Sequence, residues 1–490
     1  MSFKQLDSRS IPWFSLGLVV IFLISLSLRF WGLGRFNTLV FDEVYYAIFA
    51  NDYLTHTPFF NAHPPLSQYL IAIGIWVGNH LPFGKDTING LTGSQISTFS
   101  YRWLNALTGS FVPLVIAGIA YQLIPRRSYA LIAALFAAAD GLFLVESRYA
   151  LNNIYLVLFG LLGQWFFLLA LKNQATRRWV WLTLAGVFFG ASAAIKWNGL
   201  WFLLGAYLIW ISAWVIQLVS GQHPRSEGQE AAALPSSNSP LQPLSNLTQL
   251  NFFHIIWNLG IIPIAVYSVA WIPHLQLNPN PNFWEMQKEI LFYHERIGNG
   301  AEVHPYCANW YTWPLMIRPI AYFYQTSADT SGKVPDLPPL PGQTGNVIYD
   351  VHAMGNPILW WLSTAAILLV LLLLVQRLFR NGTFPKTGLT SSTAIALYLV
   401  LNYAANLLPW MKVTRCIFLY HYMGASVFAG LALAWIVDRW INYQDNQFQK
   451  MGIATIILVV AAFIFWMPIY LGLPLSAWEY QLRMWLPTWI

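Results

Sequence analysis

Charge is what this 490-residue sequence has least of: 9% of its residues are Asp, Glu, Lys or Arg, against about 25% in a soluble globular chain. Hydrophobic residues make up 57%. So few charges cannot cover a water-exposed surface, so the chain reads as a polytopic membrane protein, and the length-per-domain rule for soluble chains does not apply. Cysteine is nearly absent. There are two, Cys307 and Cys416, which excludes a disulfide framework. Both fall on the outer side of the topology derived below and could pair; free buried thiols are the preferred reading. No Walker-type Gly-rich loop and no metal-ligand spacing such as HExxH is present, which argues against nucleotide and metal binding. The net charge of +7 reads as topological, with basic residues in cytoplasmic loops and no nucleic-acid partner. Aromatics, by contrast, are abundant at 17%, with 25 Trp. Trp and Tyr gather at membrane interfaces, and so many also suit the aromatic-walled cavities that hold sugars.

A helical span needs about 20 apolar residues. Runs at 11–31, 103–124, 129–145, 153–171, 179–195, 198–219, 253–273, 357–376, 391–409, 423–441 and 452–471 predict eleven spans. The first is long and lacks a clear small-residue cleavage site, so it reads as a retained span. The run 66–83 is ambiguous, and the basic residues resolve it, because Lys and Arg collect in cytoplasmic loops. With Lys4 and Arg9 inside and eleven spans, Arg126 and Arg127, then Lys172, Arg177 and Arg178, then Arg377, Arg380 and Lys386, then Arg439 and Lys450 all fall inside. Counting 66–83 as a span would put every one of these clusters outside, so it is assigned as an interfacial helix. The expected fold is therefore an all-α membrane domain without a separate soluble domain. Its first outer loop covers 32–102. Residues 220–252, rich in Ser, Pro and Gln, read as a disordered cytoplasmic linker, where the sequon Asn246-Leu247-Thr248 should go unused. The large outer loop, 274–356, has room for a small subdomain or a helical cap.

On this topology the outer face collects ionisable and polar residues near helix ends. Such residues at membrane depth are costly and usually functional; the plainer account is an interfacial anchor snorkelling into headgroups. The adjacent acids Asp42 and Glu43, in FDEVYYAIFANDYLTHTPFFNAHPPL, could accept a proton from a hydroxyl nucleophile or bind a cation. Alternatively they are first-turn acids facing a helix dipole. Arg102, Arg148 and Arg415 could grip phosphate oxygens in bidentate fashion, or snorkel. Lys196, in AAIKWNGLW, interrupts an apolar run and could equally mark a tight outer turn. His63, His304 and the Tyr420-His421-Tyr422 triplet could contact a sugar or peptide, though a lone His is more often packing. Asn153 completes the set. No cofactor is required, and a divalent cation at the acid pair stays open.

The segments FDEVYYAIFANDYL…FFNAHPPLSQYL, YRWLNALTGSFVPL, ESRYALNNIYLVLF, AAIKWNGLW, HPYCANWYTWPLMIRPIAYFY and PWMKVTRCIFLYHYMGASVFAG, in this order between residues 41 and about 430, resemble the protein O-mannosyltransferases of glycosyltransferase family 39. The resemblance implies a GT-C fold with eleven helices and interfacial helices in the first outer loop. It implies transfer of mannose, with inversion, from a polyprenyl-phosphate-mannose lipid to Ser or Thr of a translocated protein, by a bacterial-type enzyme in the plasma membrane. Position by position, Asp42 matches the catalytic carboxylate and Glu43 its essential neighbour. Arg102 matches an arginine expected at the lipid phosphate, and Arg148 falls in a Ser-Arg pattern. The family usually has Asp where this chain has Asn153. The large outer β-trefoil of the eukaryotic enzymes has no room in the outer loop. The nearest rival reading is a GT-C transferase with a lipid or glycan acceptor. A transporter fits less well, because there is no internal repeat and the charges sit at one face.

Overall fold

A computed structural model of the chain describes residues 12–220, 243–326, 347–379 and 391–489. Most of it is helix. The first part of the bundle is α1 (Trp13–Phe30), α2 (Glu43–Thr55), α3 (Leu66–His80), α4 (Thr98–Leu123), α5 (Arg127–Ala138), α6 (Gly141–Arg148), α7 (Asn153–Lys172), α8 (Ala175–Ala193) and α9 (Leu200–Ser220). A short α10 (Phe252–His254) runs through a π-helical stretch, Ile255–Ile261, into α11 (Ile262–Ala270), which is followed by α12 (Ile272–Leu277) and α13 (Phe283–Arg296). The C-terminal part holds α14 (Pro357–Phe379), α15 (Ser391–Leu407), α16 (Met423–Ile441), α17 (Asn446–Leu471) and a short α18 (Ala477–Gln481).

Among the described residues nine helices are long and apolar enough to cross a membrane, and a tenth span results if α5 and α6, bent by 57° at their junction, count as one. The bend has a local cause. α5 ends at Ala138, and Asp140 caps α6, its carboxylate accepting from the Leu142 and Phe143 amides, the side-chain capping that starts a new helix. The eleventh expected run is α8. It is 19 residues long but carries Arg177, Arg178, Thr183, Gly186 and Gly190, and it is not among the helices apolar enough to count. It is held by packing instead. An added Cβ would lie 1.9 Å from the Asn258 carbonyl oxygen at Gly186 and 2.7 Å from the Pro263 carbonyl oxygen at Gly190, so this pair of glycines lets α8 touch the backbone of the π-helical stretch and α11, as small residues four apart do in membranes. The run 66–83 forms α3, only 15 residues long, too short to span about 30 Å at 1.5 Å per residue.

Two small sheets lie in the loops. In the first loop, β1 (Ile88–Asn89) pairs antiparallel with β2 (Ile96–Ser97). β3 (Ile320–Thr326) and β4 (Val347–Ala353) of the large loop and β5 (Leu475–Ser476), which follows α17, form an antiparallel sheet in that order. The 274–356 segment holds α13, amphipathic and started by a capping box between Asn282 and Glu285, then a 3-10 turn at Trp310–Leu315, then β3 and β4. The expected linker 220–252 is folded in its last part. Pro243–Gln249 is a 3-10 turn with Leu244 and Leu247 buried and the Asn246 amide donating to the Leu171 carbonyl. Residues 221–242, and the PDLPPLPG stretch at 335–342, lie outside the described residues.

Candidate active site

The loop that leaves α1 is held by one arginine. Arg102, from the second turn of α4, donates from Nε and Nη2 to Glu43 at 2.8 and 2.6 Å. Its remaining N–H groups reach the carbonyls of Leu33, Phe36 and Thr38 at 2.7–3.0 Å. Glu43 also accepts from the Val40 and Ala150 amides at 3.0 and 2.9 Å. Both side chains are fully buried. The geometry corrects two expectations. All five guanidinium donors of Arg102 are used inside the protein, so none remains for a lipid phosphate. Glu43 points into this network, so it positions the loop and does not face a substrate or a cation. Arg148 also turns to the chain behind the site: its Nη1 donates to the Leu28, Arg29 and Trp31 carbonyls at 2.6–3.2 Å, among the orphan carbonyls at the end of α1, while its buried Nε has no partner.

The same scaffold turns Asp42 outward. Phe41 adopts φ +49°, a left-handed conformation uncommon for a bulky residue and typical of strained functional positions. It is braced by stacking on Tyr322 at 4.7 Å between ring centroids. Asp42 stands at the N-cap of α2 but its side chain caps nothing. Its Oδ2 accepts from the Tyr420 hydroxyl at 3.3 Å. Burial raises the Asp42 carboxyl above its usual range, against the opposing pull of Lys196, the Tyr420 hydrogen bond, His304 and Arg415. Lys196, in the α8–α9 turn and 4% exposed, lies over the Tyr420 ring at 5.2 Å. Burial brings its ammonium down to about 8, with Asp42 and Glu146 resisting.

Asn153 explains how Lys196 is placed. Its carbonyl accepts from Lys196 Nζ at 3.0 Å, while its amide donates to Glu146 at 3.0 Å; the Tyr322 hydroxyl donates to the other Glu146 oxygen. A carboxylate at 153 would set two acids side by side and could only accept. The carboxamide therefore bridges acid to base.

Next to this group opens a cavity of about 890 Å³, at the upper end of the range for ligand clefts, about 300–1,000 Å³. One end is polar, with His63, Lys196, His294, Lys412, Arg415 and His421; the other is apolar, between Leu203 and Tyr207 of α9 and Leu259, Pro263 and Ile264 near and in α11. Ile264 is 67% exposed, so the apolar end reaches the exposed face of α11. His63 and His294 lie 5.1 Å apart. Burial, aided by the positive charge of Arg415 and Lys196, holds His63 well below its usual value and His294 at about 4, so the surroundings disfavour the protonated form of both. His421 is held against the Phe418 backbone and between Trp410 and Trp313. His304 packs edge-on to Phe41 at 5.8 Å on the Asp42 side. The structure thus brings Asp42, His63, Asn153, Lys196, His304, Arg415, Tyr420 and His421 together, and leaves Glu43, Arg102 and Arg148 behind them as supports. Sequence reasoning missed His294, Lys412 and Trp201; the polar face of the α13 helix was the available signal for the first. Among the described residues no group of three or more His, Cys, Asp or Glu is placed to hold a metal ion.

The two cysteines are joined, Cys307 to Cys416, which overturns the preference for free thiols. With the Cys416 amide on the Gly298 carbonyl and the Ala308 amide on the Ile417 carbonyl, both at 2.8 Å, the bond ties the 274–356 loop to the residue next to Arg415. Cys416→Ser is expected to cost about 2–4 kcal/mol of stability and to weaken occupancy of the cavity, read as a lower melting temperature and higher donor KM; an unchanged KM would show that Arg415 is placed without the crosslink.

Residues 19–277 match the family described as dolichyl-phosphate-mannose-protein mannosyltransferase, and residues 280–489 match the C-terminal four-span region of protein O-mannosyltransferase. The chain belongs to the protein O-mannosyltransferase family. It is a glycosyltransferase of the membrane, and the fold is that of the GT-C enzymes. The polyprenol-phosphate-mannose–protein mannosyltransferase of Mycolicibacterium smegmatis is 25% identical over 94% of this chain and 90% of its own length; that of Corynebacterium glutamicum is 24% identical over 96% and 92%. In structure, the Saccharomyces cerevisiae Pmt1-Pmt2 complex bound to the sugar donor is similar with a TM-score of 0.75 at 16% identity, over 99% of this chain and 94% of that one. ArnT from Cupriavidus metallidurans gives 0.50 at 14% identity, over 96% and 76%.

Proposed function

We propose that this enzyme transfers mannose, with inversion, from a polyprenyl-phosphate-mannose donor to Ser or Thr hydroxyls of translocated secreted or membrane proteins, on the extracytoplasmic face of the plasma membrane. The observation that carries this reading is the amphipathic cavity: an apolar end that reaches the exposed face of α11 and a cationic end at Lys196 and Arg415, both of which act on Asp42. A polyprenyl tail suits the first and a phosphate the second. The names of the bacterial relatives supply the same donor. The Cys307–Cys416 bond on this side of the bundle supports an oxidising compartment, since cytosolic thiols stay reduced. The basic residues at the other end of the bundle support a cytoplasmic N-terminus.

In this reading the acceptor oxygen attacks the anomeric carbon as Asp42 takes its proton, and the bond from that carbon to the phosphate oxygen breaks on the opposite face. Its electron pair leaves on the phosphate, where Lys196 and Arg415 offset the charge. Such donors count for more in a poorly hydrated site. No acid is needed, because phosphate is already a good leaving group. Arg415 is half-buried, and a charged hydrogen bond contributes about 1.5–3 kcal/mol, so Arg415→Ala is expected to raise the donor KM roughly tenfold or more.

The deciding assay uses radiolabelled polyprenyl-phosphate-mannose with purified enzyme, a Ser/Thr-rich peptide, and native lipids and glycans in parallel. Label in the peptide is the expected result. Label only in the lipid or glycan fraction would replace the acceptor class.

A further inference from the structure

A second cavity lies at the opposite end of the bundle from Asp42. It measures about 290 Å³ and is walled by α14, α15 and α16, among them Leu373, Leu374, Ala396, Trp435 and Trp440, with Tyr443 and Phe448 at its rim. Two arginines line the same space: Arg377 in the last turn of α14 and Arg439 in the last turn of α16. Both are exposed. Neither forms an ion pair among the described residues. The acids at this end among the described residues are engaged elsewhere. Asp438 pairs with Arg126 at 3.2 Å and accepts from Ser128, and Asp445 caps α17 through the Gln447 amide. The apolar walls continue outward into exposed Leu368, Leu369, Leu372 and Val375 of α14, the face that lies against lipid.

We propose that this groove binds an anionic glycerophospholipid of the adjoining leaflet, with one acyl chain between α14 and α16 and its phosphate between Arg377 and Arg439. Guanidinium groups match phosphate oxygens in geometry and hydrogen-bonding capacity. Arg439 is steadied over the Trp435 ring at 5.9 Å, an arrangement that holds its planar group at the groove mouth. A zwitterionic lipid would bring a quaternary ammonium against the same two cations, so the charge pattern selects an acidic headgroup. Basic pockets between spans on the cytoplasmic side are a recurrent form of lipid recognition. The site lies across the membrane from the mannose-donor cavity and shares no lining residue with it.

Native mass spectrometry of the full chain, released from detergent with equal phosphatidylglycerol and phosphatidylcholine, tests this. Retention of phosphatidylglycerol at least threefold over phosphatidylcholine is expected. The double variant Arg377→Gln/Arg439→Gln should abolish that preference. Leu373→Trp keeps both arginines but fills the groove, and it should lower retention of either lipid. Glycerophosphate, which has the headgroup charge and no chain, should not compete at millimolar concentration. Both variants should keep wild-type sugar transfer in detergent, which reports an intact fold. Equal retention of the two lipids by the wild type, a preference that survives the double variant, or full competition by glycerophosphate would overturn the proposal.

Discussion

Asp42→Asn is expected to reduce sugar transfer by about 10²–10⁴-fold, the usual contribution of a general base, with donor affinity nearly unchanged. The substitution keeps the size of the side chain and its acceptance of the Tyr420 hydroxyl, so the loop held by Arg102 should stay in place. Only proton acceptance is lost. The wild-type pH profile should carry the same signature. The base works as the carboxylate, so activity is full above its pKa and falls as pH drops through it. Burial raises that pKa, so the acid limb should lie above the ordinary carboxylate range of about 4. Lys196→Met removes a cation that favours the carboxylate, and should push the limb further upward. Near-normal turnover by Asp42→Asn in a purified assay would remove Asp42 from the chemistry.

What the sequence made legible was location along the chain, and what it hid was the direction in which side chains point. The run lengths located the helices well, α8 included, although Gly186 and Gly190 make it less apolar in exchange for close backbone packing; the run at 129–145 is broken into α5 and α6, bent by 57°. Asp42, Lys196 and Arg415 could be singled out because a charge near a membrane demands a partner or a task. The same argument flagged Arg102 and Arg148 equally, since no local pattern shows that one binds an acid 59 positions away and the other the carbonyls of α1. The role of Asn153 was likewise out of reach. A carboxamide that donates to Glu146 and accepts from Lys196 is a bridge only when both partners are in view. His294 reaches the cavity from a helix 231 residues after His63, a proximity that depends on the packing of α13 against the first loop, where the His294 ring meets the Ala62 carbonyl.

The Arg102–Glu43 pair yields the other large effect, on stability. Arg102→Met would leave the Glu43 carboxylate fully buried with only the Val40 and Ala150 amides for company. Breaking a buried pair in this way costs about 3–5 kcal/mol, because the surviving charge is uncompensated. Removing both charges together, as Arg102→Met with Glu43→Gln, should cost less than the sum of the single changes. It would still not be neutral, since the carbonyls of Leu33, Phe36 and Thr38 lose their donor. A double-mutant cycle on thermal or denaturant unfolding measures this coupling, which for groups in one network should fall between about 0.5 and 3 kcal/mol. The cycle also separates support from substrate contact. A phosphate-binding Arg102 would give a variant of near-native stability with a raised donor KM. A supporting Arg102 gives an unstable protein whose remaining folded fraction keeps its donor affinity but has lost kcat, because Asp42 directly precedes Glu43 in the chain and moves with it. Strict additivity of the two single changes would mean that the loop carrying Asp42 is held by something other than this pair.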